Sequence, residues 1–93
     1  MSVYLVTYDL VRENSSHDYG PLLARLRELG GVRTHLSEWL IELNGDTQQT
    51  VFDHFQEYID GNDRLMVIEV TKRPVWNSGL KGTQAFIDAH FLR

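Results

Sequence analysis

SVYLVTYDL, residues 2–10, is rich in β-branched and aromatic residues and too short for a helix, so Val3 to Leu10 reads as a strand. Alternation puts Val3, Leu5 and Thr7 on one face and Tyr4, Val6 and Tyr8 on the other. Both faces are largely apolar, as in a strand covered on both sides. RLMVIEVT, Arg64 to Thr71, repeats the pattern, with Leu65 and Val67 opposed to Met66, Ile68 and Val70. These are the central strands, and they require cover above and below.

The intervening chain supplies one layer of cover. After the polar loop Val11 to His17, Ser16 or Asp18 can cap a helix whose Pro21 lies in the first turn, where a missing N–H costs little. Tyr19, Leu22, Leu23, Leu26 and Leu29 form its apolar stripe, and Gly30-Gly31 stops it. Val32 to Leu43 is extended, with His35, Ser37, Trp39, Ile41 and Leu43 on one face and Leu36, Glu38, Leu40 and Glu42 on the other. It is read as two short strands joined near Leu36 to Glu38, although no Gly, Pro or Asn marks the turn. Asp46 with Gln49 resembles a capping box for a second helix, which turns Val51, Phe52, Phe55 and Ile59 inward and ends at Gly61. Beyond Lys72 the pattern loosens, until Ala85, Phe86, Ala89 and His90 mark a short helix from Thr83 to Phe91.

The order β-α-β(β)-α-β predicts an α+β fold, a ferredoxin-like βαββαβ sandwich with two helices on one face of an antiparallel sheet. The chain reads as one domain over 1–93, with a core over 3–71 and a C-terminal extension over 72–93. Two helices cover one face only. The other must be covered by the C-terminal segment or by another copy, and a homodimer is the inference, with Leu36, Leu40, Val75 and Trp76 as candidate contacts.

Composition narrows the chemistry. The 93 residues include no cysteine, which excludes disulfides, thiol nucleophiles and Cys-ligated metals. The formal net charge of −4 opposes non-specific phosphate binding, so a nucleic-acid role needs a local basic patch or a bridging cation. No apolar run approaches the ~20 residues of a membrane span, and a secretory signal is not expected from a strand-like opening with no basic leader and no small-residue cleavage site. A soluble, cytoplasmic protein without a membrane partner is expected.

Asp9, a carboxylate ending a central strand before a polar loop, is the first candidate for chemistry. The plainer alternative is a turn cap. One carboxylate is a poor site for Mg²⁺ or Mn²⁺, but a twofold axis near the end of the strand would pair it with its mate.

YLVTYDL, the helix carrying Tyr19, Leu22 and Leu26, and the stretch Gly31 to Trp39 (GVRTHLSEW) together resemble the small CRISPR-associated Cas-two family, with VapD-type toxins as cousins. The likeness spans roughly residues 3 to 71. Tyr8 and Asp9 match the family's strand-end Tyr-Asp. Arg33, Ser37 and Trp39 fall on its Arg-x-Gln-x-Ser-x-Phe strand, with His35 in place of Gln and Trp39 in place of Phe.

The resemblance implies a ferredoxin-like homodimer whose Asp9 binds a divalent cation, Mg²⁺ or Mn²⁺, and supports endonucleolytic phosphodiester hydrolysis of RNA or DNA. It equally implies the alternative of a non-catalytic scaffold or interaction module serving a partner integrase or antitoxin. In the enzyme reading the cation activates water. Tyr8, Arg33 and Ser37 surround Asp9, Arg33 and Arg12 meet phosphate, and His17 exchanges protons. Each has a structural alternative: Arg33 as a cross-strand ion-pair partner, His17 as a solvated loop residue and Ser37 as a locally bonded hydroxyl. The loop departs from the family by offering Ser15, Ser16, His17 and Asp18 where basic residues are common, leaving Arg12 as its cation. Trp39 and Trp76 read as packing residues, His35 as a satisfied histidine, and Asp60 to Asp63 as a turn. His54 and His90 have no ligand partner at i+4.

Overall fold

The computed structural model describes residues 2–10 and 20–91, in the order β1 (Ser2–Asp9), α1 (Pro21–Glu28), β2 (Val32–His35), β3 (Glu38–Leu43), α2 (Gln48–Gln56), β4 (Arg64–Val70) and α3 (Thr83–His90). The strands form one four-stranded sheet ordered β2-β3-β1-β4, each neighbouring pair antiparallel, so β1 is central as expected but β4, expected to be central, lies at the edge. Two apolar faces reflect cover above and below a strand, not a neighbour on each side. This α+β arrangement is compatible with a ferredoxin-like fold. The extended stretch from Val32 to Leu43 is two strands, joined at Leu36 and Ser37.

One sheet face meets α1 and α2. Tyr4, Val6 and Tyr8 of β1, Trp39 and Ile41 of β3 and Val67 of β4 pack with Leu22, Leu23, Leu26, Val51 and Phe55. Pro21 opens α1, and Gly20, not a side-chain cap, precedes it; Ser16, Asp18 and Tyr19 lie outside the described residues. The predicted glycine stop is present. Gly30 takes a φ of 84°, and Gly31 approaches so closely that a Cβ there would lie 3.0 Å from the Leu26 carbonyl and 3.2 Å from the Trp39 ring.

The capping box of α2 sits one residue later than Asp46 and Gln49. The Thr50 N–H donates to Thr47 Oγ1 at 3.1 Å, and the Thr47 N–H donates to Thr50 Oγ1 at 2.8 Å. The threonine hydroxyl reciprocates here in place of the usual Glu or Gln, which is why the predicted pair missed it. The helix also ends at Gln56, ahead of Gly61, with Val51 and Phe55 buried and Phe52 and Ile59 half-buried.

The second face carries Val3, Leu5, Leu40 and Val70, and α3 lies over it with Phe86 and Ile87 buried. The helix turns Thr83, Phe86 and Ile87 inward, while Ala85 and Ala89 are exposed, so its buried stripe differs from the predicted one. Two ties fix its C-terminal end: Arg73 donates to the Phe91 carbonyl at 3.1 Å and pairs with Asp88 at 2.6 Å, and His90 Nε2 lies 3.2 Å from Glu42 Oε1. The C-terminal segment therefore supplies cover that the sequence reading assigned to a second copy. Leu40 is buried beneath it and Trp76 packs half-buried against the same cluster, which removes both from the expected contacts, whereas Leu36 and Val75 are exposed. Coverage is incomplete: Met66 and Ile68, on the same face of β4, remain 56% and 44% exposed.

Candidate functional site

Of the residues singled out by sequence, Tyr8, Asp9 and Ser37 lie at the end of the sheet where β1 stops. The ladder sets Asp9 opposite Arg64 and Thr7 opposite Glu38, and the Tyr8 N–H donates to the Ser37 carbonyl at 3.2 Å. Alternation then separates the candidates, because successive strand side chains point to opposite faces. Tyr8 enters the core beneath the helices, where its hydroxyl accepts a 3.0 Å hydrogen bond from Trp39 Nε1. Asp9 belongs to the face carrying Thr7, Met66 and Ile68, with its side chain 70% exposed. The phenol and the carboxylate thus lie on opposite sides of the sheet.

Arg33 pairs with Trp39 across β2 and β3, and its Nε donates to the Leu36 carbonyl at 3.0 Å, a contact its Nη2 shares. Two donors of a rigid guanidinium on one carbonyl hold the hairpin turn, a geometry suited to Arg. Ser37 lies within that turn. Asp9 has the Arg64 guanidinium as its charged neighbour, Nη1 to Oδ2 at 3.8 Å and both side chains largely exposed, a pair too solvated to constrain the carboxylate strongly. Arg12 and His17 lie outside the described residues. Among the described residues no group of three His, Asp or Glu side chains comes together as a metal site, and no helix is long and apolar enough to cross a membrane.

The structure reveals a second polar constellation that sequence reading missed. His35 stands opposite Glu38 across the hairpin, with Nδ1 3.0 Å from Glu38 Oε1 and 3.2 Å from Thr34 Oγ1. Its Nε2 lies 3.1 Å from the Asn77 carbonyl, so the ring bridges the hairpin and the C-terminal segment. The expected satisfied, partly buried histidine is found, but on Glu38's face and not on that of Trp39 and Ile41. Strict alternation was carried through a turn and through the irregularity between Arg33 and His35, either of which resets the faces. Closing the hairpin at Leu36 and Ser37 is the signal that pairs residues 35 and 38.

Remaining candidates have structural partners. Arg25 Nε donates to His54 Nε2 at 3.0 Å, joining α1 to α2. His90 stacks on Phe86 at 3.9 Å between ring centroids, with Nδ1 2.8 Å from the Phe86 carbonyl. The Asp60 N–H donates to Asp63 Oδ2 at 2.8 Å, so these acidic residues shape the turn before β4. Compared with protein-family models and with solved structures, the chain has no significant match to either.

Proposed function

We propose that this chain is a non-catalytic, ferredoxin-like interaction module that assembles as a homodimer through the uncovered part of its second sheet face. The observation that carries this reading is the exposure of Met66 and Ile68 on edge strand β4, beside buried positions on the same face that α3 covers. A second copy suits the patch. Asp9 and Arg64 stand opposite each other at one end of the apolar pair, so a twofold contact centred at that end would set each carboxylate near the other copy's guanidinium while removing two apolar pairs from water. Engagement of Tyr8 in the core and of Arg33 at the hairpin turn accords with a scaffold. A partner nucleic acid, integrase or antitoxin would then read the surface of the dimer. Light scattering across a dilution series tests this: wild type is expected at twice the chain mass, and a Met66→Lys/Ile68→Lys variant at the chain mass. A wild type that is monomeric throughout refutes it.

A second reading, divalent-metal-dependent endonuclease activity, draws on one specific observation: Asp9 shares its sheet face with Met66 and Ile68. A dimer whose axis instead passes beside Asp9 would bring the two carboxylates together in place of the cross-copy Asp9–Arg64 contacts, and Mg²⁺ is commonly held by one or two carboxylates plus substrate phosphates. The Arg64 pair is no barrier, since exposed pairs contribute about 0 to 1 kcal/mol. Cleavage of RNA or DNA with Mg²⁺ or Mn²⁺ that disappears in Asp9→Asn supports this reading; equal cleavage by both proteins defeats it.

A further inference from the structure

Between the second sheet face and the C-terminal segment lies a cavity of about 380 Å³, within the range of small-molecule clefts. Leu40, Val70, Ile87 and Trp76 give it apolar walls, and His35 and Glu38 supply a polar end. The Glu38 carboxylate is asymmetric in its bonding. Its Oε1 faces both His35 Nδ1 at 3.0 Å and Thr34 Oγ1 at 3.4 Å, whereas its Oε2 has no hydrogen-bond partner among the described residues. That side chain is only 32% exposed. A carboxylate oxygen in such surroundings gains from a cationic donor and repels an anion. His35, held on one side by Glu38 and on the other by the Asn77 carbonyl, fixes the orientation of the carboxylate and ties the cavity's two walls together.

We infer that this cavity binds a small organic amine, with its ammonium group on Glu38 Oε2 and its hydrocarbon body against Leu40, Val70 and Trp76. The size of the space suits a single ring or a short alkyl chain, and the one charged end sets the polarity of the ligand. Phenethylamine and phenylacetate form a matched pair of probes, alike in the ring and opposite in charge.

The test is an NMR titration of the full chain with each probe, following the amides of residues 35 to 38 and the Trp76 indole N–H. Phenethylamine is expected to shift these signals saturably and to bind about ten-fold or more tighter than phenylacetate, the effect of one charge-assisted hydrogen bond. Glu38→Gln should erase that preference, and Val70→Phe, which fills the space, should abolish binding of both probes while amide dispersion shows the fold retained. Equal or tighter binding of phenylacetate overturns the assignment, as does a non-saturating phenethylamine titration or an unchanged preference in folded Glu38→Gln. Should Glu38→Gln fail to fold, the comparison of the two probes on wild type still decides.

Discussion

Replacing Ile87 by Ala tests whether α3 is part of the core or an appendage. Ile87 is 1% exposed and packs with Val3, Leu40 and Phe86 on the face away from α1 and α2. Fully burying such a side chain is worth about 1.5 to 3 kcal/mol, and truncating it to Ala, with the cavity left behind, costs about 2 to 5 kcal/mol. For a domain of 60–100 residues each kcal/mol lowers the melting temperature by roughly 4 to 8 °C, so Ile87→Ala should melt at least about 8 °C below wild type. Ala89, exposed on the same helix, provides the control: Ala89→Ser should stay within about 0.5 kcal/mol. Urea unfolding monitored by circular dichroism separates the causes, because a stability change moves the midpoint and leaves the slope unchanged. If Ile87→Ala matches wild type in midpoint and slope, α3 is not packed on the sheet, and the explanation of the two-sided strands fails.

Trp39→Phe should destabilise by about 1 to 3 kcal/mol, since it removes volume and the donor to the buried Tyr8 hydroxyl; a double-mutant cycle with Tyr8→Phe should return a coupling of about 0.5 to 1.5 kcal/mol in urea unfolding. Thr47→Ala should cost about 1 kcal/mol by the same assay and Asp46→Ala less than about 0.5, because the cap of α2 is the threonine. Asp9→Asn should change stability by less than about 0.5 kcal/mol in thermal melts, given a 3.8 Å pair between exposed side chains, so any loss of a functional readout in that variant is not a loss of fold.

The parts of this fold written most plainly in the sequence are those set by local periodicity. β1 is recognisable from β-branched and aromatic residues and β4 from aliphatic ones, each alternating on two apolar faces, and α1 from leucines bounded by Pro21 and Gly30. Their two-sided character announced a second covering layer without naming it, since Phe86 and Ile87 differ from a dimer contact only in where the chain carries them. Of the expected Ala85, Phe86, Ala89 and His90, Phe86 is buried and the two alanines are exposed, because small residues fit either side of a short helix and Phe86 meeting the sheet decides the buried side. Within the candidate site, the order Tyr8 then Asp9 already implied opposite faces, a consequence of strand geometry available before any coordinates. Arg33's attachment to Leu36 and the Glu38–His35 pair were not legible in that way. Both depend on where the hairpin turns, and no Gly, Pro or Asn marks the place.

In the proposed homodimer two copies meet on the exposed apolar strip of β4. An isotope-filtered NOE experiment on a mixture of labelled and unlabelled chains reads that contact directly. Intermolecular cross-peaks are expected from the Met66 and Ile68 methyl groups; intermolecular contacts confined to other surfaces, or none at concentrations where the protein is folded, would rule that dimer out.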